Sequence, residues 1–291
     1  MKTKTILITG AKGQLGSELM QLSAQYFNFK FIPTDTETLD LTKKTKIIQF
    51  LKKNKVDYII NCAAYTAVDK AEKEISLCYS INRDTVKNLL ESTDKKTKII
   101  HISTDYVFDG LKNTPYTETD TANPQSIYGK SKHEGEIILM TNRPESIIIR
   151  TSWLYSVYGC NFVKKILNLI KEKSHLKVVC DQLGTPTYAA DLANAILIII
   201  SYLENKNGFY FGIFHYSNEG IASKFDFAKK ILKFSKEKNC NIYPTKTELY
   251  VIQTKRPMYS VLNKQKIKKI FSIAIPEWET SLKKCINLLV K

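Results

Sequence analysis

The 291 residues, 43% hydrophobic and 25% charged, suffice for one large core or two modest ones and have the composition of a soluble, folded protein. The formal charge of +16 comes mostly from lysines spread along the chain rather than clustered with arginines and aromatics. That pattern argues against a nucleic-acid interface and leaves a solvated basic surface, or steering of a polyanion such as a sugar diphosphate.

From residue 5 to about 150 short β-branched runs alternate with helical segments. In chain order they are a strand Thr5–Thr9, a helix Leu15–Gln25, a strand Phe29–Pro33, a helix Thr45–Lys53 and a strand Tyr58–Asn61. A helix Leu77–Ser92, a strand Lys98–Ser103, a helix Ile127–Met140 and a strand Ser146–Arg150 follow. This rhythm predicts a parallel sheet, and the nearly continuous apolar content of the strands predicts helices on both faces, a Rossmann-type doubly wound α/β fold. Beyond residue 155 the alternation becomes irregular, with helices at Asn161–Lys173, Ala189–Leu203 and Trp278–Val290, an extended Leu176–Cys180, and a lysine-rich helical stretch at Lys229–Asn239. The expected division is a dinucleotide-binding domain at 1–155 and a smaller, mainly substrate-binding domain at 156–291, from which the chain is free to return to the first. The six cysteines (Cys62, Cys78, Cys160, Cys180, Cys240, Cys285) form no C-x-x-C pair, so their spacing supports neither a zinc site nor a redox motif. Ile6–Ile8 is too short for a signal-peptide core, and Ala195–Leu203 for a membrane span. A cytoplasmic protein without a membrane partner is expected.

Directly after the first strand comes Gly10-Ala11-Lys12-Gly13-Gln14-Leu15-Gly16. Its small residues allow a tight turn and close approach of a pyrophosphate to a helix N-terminus, where free N–H groups and the helix dipole favour an anion. A tight turn without a ligand is the alternative. The position after a strand, and Asp35 at the end of the second strand, favour a dinucleotide, because an acid about 20 residues on accepts from a ribose 2′-hydroxyl. Asp35 would favour NADH, although the balance between NADH and NADPH stays open. Asp40 and Leu41 lie where a loop could flank the adenine. Ala63, Ala64 and Tyr65 follow the third strand, where small residues leave room in the crevice or simply pack a helix against the sheet.

Tyr128 and Lys132 stand four apart, so on a helix they share a face. A neighbouring cation would favour the phenolate and bring the tyrosine down from its ordinary value of about 10. Tyr128 is then the expected proton donor to a carbonyl oxygen, and Lys132 the group that also holds the nicotinamide ribose. The preceding strand ends in Ser103-Thr104-Asp105-Tyr106, which puts hydroxyls at a carboxyl edge, with Thr104 able to bond the substrate oxygen. A serine–threonine turn is the simpler reading of that segment alone. The combination indicates carbonyl–alcohol redox chemistry.

These strings, with Cys62 to Glu72, Arg150-Thr151-Ser152-Trp153-Leu154-Tyr155, Asp181 to Thr187 and Arg256-Pro257-Met258-Tyr259-Ser260, run nearly end to end. The chain resembles the dTDP-4-dehydrorhamnose reductase family of extended short-chain dehydrogenases. The resemblance implies reduction by NADPH or NADH of the C4 keto group of dTDP-4-dehydro-6-deoxy-L-mannose, giving dTDP-L-rhamnose. It implies a catalytic set of Thr104, Tyr128 and Lys132, and a cofactor site formed by Gly10, Gly13, Gln14, Leu15, Gly16, Asp35, Asp40, Leu41, Ala63, Ala64, Tyr65 and Ser103 with Tyr128 and Lys132. Substrate contacts are implied at Thr104, Asp105, Tyr106, Trp153 and Arg256. Trp153 reads equally as core filler, and Arg256 as a diphosphate clamp or an interdomain ion pair. Some relatives hold magnesium at a dimer contact. No matching carboxylate cluster is present here, so no metal is expected, while a homodimer stays open. The competing readings are a reductase of another nucleotide 4-keto-6-deoxyhexose and a non-catalytic subunit like the methionine adenosyltransferase β subunit. The intact Thr104, Tyr128 and Lys132 argue against the latter.

Overall fold

Five β-branched runs become strands: β1 (Lys4–Thr9), β2 (Phe29–Thr34), β3 (Tyr58–Asn61), β4 (Lys98–Thr104) and β5 (Ile147–Thr151), of which all but the edge strand β2 are mostly buried. The computed structural model describes residues 3–205, 210–237, 239–249 and 254–290; Lys238, within the expected lysine-rich helix, lies outside them. A sixth strand, Gly212–His215, completes a sheet in the order Gly212–His215, β5, β4, β3, β1, β2, and every pair in it is parallel. Because β2 and β3 flank β1 on opposite sides, winding reverses there, and the carboxyl ends of β1 and β3 open a crevice.

Alternation within the strands sends neighbouring residues into two different cores. Ile6, Ile8, Ile60 and Ile149 pack with Leu15 and Leu19 of α1 (Gln14–Ser23) and with the apolar helix Ala189–Asn205. Leu7, Ile59, Ile99 and Ile148 pack on the other face, against Ile47 of α2 (Lys44–Lys53) and Leu89 of the helix Thr85–Ser92. A third core lies outside this sandwich. There the amphipathic helices Phe162–Glu172, Lys224–Ser235 and Trp278–Leu289 bury Ile166, Phe227 and Leu282 around the parallel strands His175–Val179 and Asn241–Thr245.

The sixth strand was not among the expected elements. Gly-Ile-Phe-His falls in the half where the helix–strand alternation has become irregular, and the backbone edge of β5, with Gly212 opposite Ile147, recruits it. The lysine-rich helix begins earlier than its composition suggested, at Lys224. Ser223 caps it reciprocally with Asp226, an anchor that outweighs the lysine count. Among the described residues no helix is long and apolar enough to cross a membrane.

Candidate active site

The glycine loop closes the crevice from below. Gly10 has φ +66°, and a Cβ there would lie 2.9 Å from the backbone of Ala63, so the segments leaving β1 and β3 touch. Gly13 caps α1 in an extended conformation without a side-chain hydrogen bond, which leaves the first turn for an anionic ligand. These features fit a dinucleotide pyrophosphate. Asp35 is not a free acid: its Oδ2 is 2.8 Å from Lys12 Nζ, and Lys12 also reaches Glu37 at 2.6 Å. The Lys12 hydrogen bond, followed by the Thr38 backbone, holds the Asp35 carboxyl down at about 2.

Several other expected cofactor residues spend their side chains within the protein. Leu15 and Leu41 are core residues. Asp40 accepts from the Thr42 backbone at 2.9 Å and its hydroxyl at 2.7 Å. Gln14 accepts from Asn161 at 3.1 Å, and the Tyr65 hydroxyl donates to Glu74 at 2.7 Å. The loop carrying Ala63, Ala64 and Tyr65 is instead held by Asn82, which takes the Tyr65 N–H at 2.9 Å and donates to the Tyr65 carbonyl at 3.1 Å and to Ser131 at 2.9 Å. Asn82 sits in a π-helical turn, Ser80–Asp84, a distortion common at functional sites.

The helix Ile127–Asn142 starts at Ser126, whose hydroxyl accepts from the Gly129 N–H at 3.1 Å. Gly129 lets this helix lie against the turn Asp105–Val107, since any Cβ there would collide with the Tyr106 carbonyl oxygen. That contact sets the Tyr128 ring beside Thr104. Thr104 donates to Asp105 Oδ1 at 3.1 Å, and the Tyr106 ring packs edge-on against Tyr128 with centroids 5.5 Å apart. Lys132 shares the face of Tyr128, but its ammonium dips toward the sheet, donating to the Ile102 carbonyl at 2.6 Å. Burial therefore dominates the phenol and pushes it above its ordinary value, while Lys132 is pushed down to about 8. The expected lowering of Tyr128 is absent because the cation points away. A phenol that stays protonated suits a proton donor. Ser103 is buried next to Glu136, which forms a two-pronged pair with Arg150 at 2.9 and 2.7 Å.

Toward the second lobe Asp105 is buried, and desolvation raises it to about 6; its Oδ2 has no hydrogen-bond partner among the described residues. Trp153 adopts a left-handed backbone at φ +46°, a strained geometry for a bulky residue that is typical of ligand clamps. The Lys224 ammonium lies 3.3 Å from the centre of its ring. Arg256 is engaged by both oxygens of Asp69, at 2.9 and 2.8 Å, which ties the lobes together. From Lys224 and Arg256 a groove of 1240 Å³ continues past Lys73, Lys165 and His175. Its cations suit a diphosphate.

The family model described as "RmlD substrate binding domain" matches residues 3–290. A dTDP-4-dehydrorhamnose reductase of Aggregatibacter actinomycetemcomitans is 40% identical, covering 96% of this chain and 97% of its own. The chain belongs to the dTDP-4-dehydrorhamnose reductase family. A crystal structure of such a reductase from Clostridium acetobutylicum superposes with a TM-score of 0.91 at 42% identity, covering 99% of this chain and 100% of that one. A Bacillus anthracis reductase in complex with NADP gives 0.91 at 38% identity over the same shares.

The structure adds Lys12, Asn61, Asn82, His101 and Lys224 to the surroundings of the site, none of them singled out by the sequence. Lys12 had a signal, a cation inside the glycine loop. The others had none, since the partners that fix their roles, such as Tyr65 and Ser131 for Asn82, are 17 or more residues away.

Proposed function

We propose that the chain reduces the C4 keto group of dTDP-4-dehydrorhamnose to give dTDP-L-rhamnose, using NADPH or NADH. The observation that carries this reading is the neighbouring placement of Thr104, at the carboxyl end of β4, and Tyr128, with Lys132 one turn further along the same helix. The nicotinamide, when bound, supplies the hydride to C4. Tyr128 delivers its phenolic proton to the C4 oxygen, and Thr104 hydrogen-bonds that oxygen, so negative charge does not build up on it. Lys132 holds the ribose side of the cofactor. Asp105 and Trp153 orient the sugar, Tyr106 braces Tyr128, and the cations of the groove, with Arg256, take the diphosphate.

Lys12 qualifies the cofactor preference. By neutralising Asp35 it removes the repulsion that an isolated carboxylate would exert on a 2′-phosphate, which supports use of NADPH as well as NADH. Residues 1–155 form the cofactor-binding part and 156–291 mainly the substrate part, with Ala189–Asn205 and Gly212–His215 rejoining the sheet. The need for a nucleotide sugar and a reduced nicotinamide supports a reaction in the cytoplasm.

A second reading, reduction of a different nucleotide keto-sugar, is favoured by one relative. A Streptomyces antibioticus protein named "Probable dTDP-4,6-dihydroxy-2-methyloxan-3-one 4-ketoreductase" is 31% identical over 95% of this chain and 92% of its own. The test is the loss of absorbance of NADPH or NADH with dTDP-4-dehydrorhamnose generated in situ. Turnover that falls roughly 10²- to 10⁴-fold in Tyr128→Phe, with cofactor binding retained, is the expected result. Cofactor binding without turnover would refute the substrate, and a panel of nucleotide 4-keto sugars would then find the right one.

A further inference from the structure

Lys132 is 2% exposed, and the two groups that hold its ammonium are neutral. One is the Ile102 carbonyl at 2.6 Å and the other the Nε2 of His101 at 3.3 Å. The second contact is the end of a row. Thr9, Asn61 and His101 are register partners on the adjacent strands β1, β3 and β4, so their side chains stand side by side on one face of the sheet. The Asn61 Nδ2 lies 3.0 Å from His101 Nδ1, and the Thr9 hydroxyl donates to Asn61 Oδ1 at 2.7 Å; the two ends of the amide are alike in size and shape, so the hydrogens of its partners decide which way it faces. All three are about 1% exposed.

Donor counting constrains this row. Burial, with the nearby Lys132 charge, holds His101 well below its ordinary pKa, so the ring is neutral and has one N–H and one lone pair. An ammonium only donates. If Lys132 is charged, Nε2 must accept, Nδ1 must carry the hydrogen, and Asn61 must present its oxygen to the ring and its amino group to Thr9. If the Asn61 amino group faces Nδ1 instead, the hydrogen sits on Nε2, and Lys132 must be a neutral amine with its lone pair turned toward the ring. A half-turn of one buried amide therefore separates an ammonium aimed at the active site from an amine aimed at the sheet.

We propose that His101 is a positioning residue for Lys132, and that Asn61 sets its tautomer. As an Nε2 acceptor, His101 joins the Ile102 carbonyl in taking two of the three ammonium N–H groups, which leaves the third for the active site. Its role as a positioning residue rests on the reductase reading, whereas the tautomer does not. The other titratable groups near Lys132 are Glu136 on its own helix, already paired with Arg150, Cys62 beyond β3 and Cys78 of the helix Ile75–Tyr79. None of them replaces the acceptor.

The first experiment is ¹⁵N NMR of the full chain with NADPH bound and its four histidines selectively labelled, using His101→Gln to assign the ring. A lone pair on Nε2 and a hydrogen on Nδ1 are expected, and the reverse tautomer overturns the proposal. The second is the pH profile of kcat. His101→Leu removes the acceptor, so the high-pH fall moves down by roughly 1–2 pH units, the scale of one hydrogen bond to a charged group. His101→Gln, which keeps an acceptor, restores it, and KM for NADPH stays level in both. Asn61→Asp, which can only accept from Nδ1, moves the fall upward and decides the matter if His101→Leu does not fold. A fall that stays in place in these variants overturns the proposal. If the wild type reduces no nucleotide 4-keto sugar, the reductase reading fails while the NMR result still stands.

Discussion

Arg150→Met should destabilise the protein more than any exposed substitution, because it strands the Glu136 carboxylate on the buried face of the catalytic helix. Arg150 and Glu136 have side chains 3% and 2% exposed, joined at 2.9 and 2.7 Å. Burial alone would raise the Glu136 carboxyl, but the hydrogen bonds from Arg150 and His133 outweigh it and hold the group at about 2 instead of 4.5. At 1.36 kcal/mol per pH unit this favours the charged form by roughly 3 kcal/mol, which agrees with the roughly 3–5 kcal/mol lost when one partner of a buried pair is removed. For a depressed carboxyl the contribution is present above pH 4.5 and disappears as the pH falls toward 2. Urea unfolding followed by circular dichroism should therefore show Arg150→Met less stable by about 3–5 kcal/mol at pH 7, with a smaller deficit near pH 3. Adding Glu136→Leu should recover most of the loss, since an apolar pair of similar volume is tolerated where a lone charge is not. A single variant within about 1 kcal/mol of wild type, or a double variant as unstable as the two singles summed, would refute the reasoning.

Lys12→Ala leaves Asp35 and Glu37 unscreened beside the expected 2′-phosphate. Its KM for NADPH should rise roughly ten-fold while that for NADH changes little; equal changes for both cofactors would sink the argument. Glu18 is a buried acid on α1 that accepts from Ser156 of the second lobe at 2.6 Å, and burial, with Asp191 nearby, raises it. A raised carboxyl stabilises the fold below its unfolded pKa, and that contribution is lost as the pH climbs through the folded value. Glu18→Gln should thus gain stability relative to wild type as the pH rises above 4.5, read as a growing difference in urea midpoint; a difference independent of pH would count against it.

Much of this protein is legible in its sequence because the signals are local. Strand and helix periodicity from Thr5 to Arg150 reports burial on two faces of each strand. The glycine loop and the spacing of Tyr128 and Lys132 report backbone geometry that needs only a few consecutive residues. Tertiary structure alone decided what depends on distant partners. Gly212–His215 is a strand because β5 offers it an edge. Leu41 and Tyr65 face inward because Ile47 and Glu74 are there to receive them. Arg256 finds Asp69 from 187 positions away. Lys132 turns from Tyr128 toward Ile102 and His101, because a buried ammonium follows its acceptors, and those are supplied by another strand rather than by its own helix.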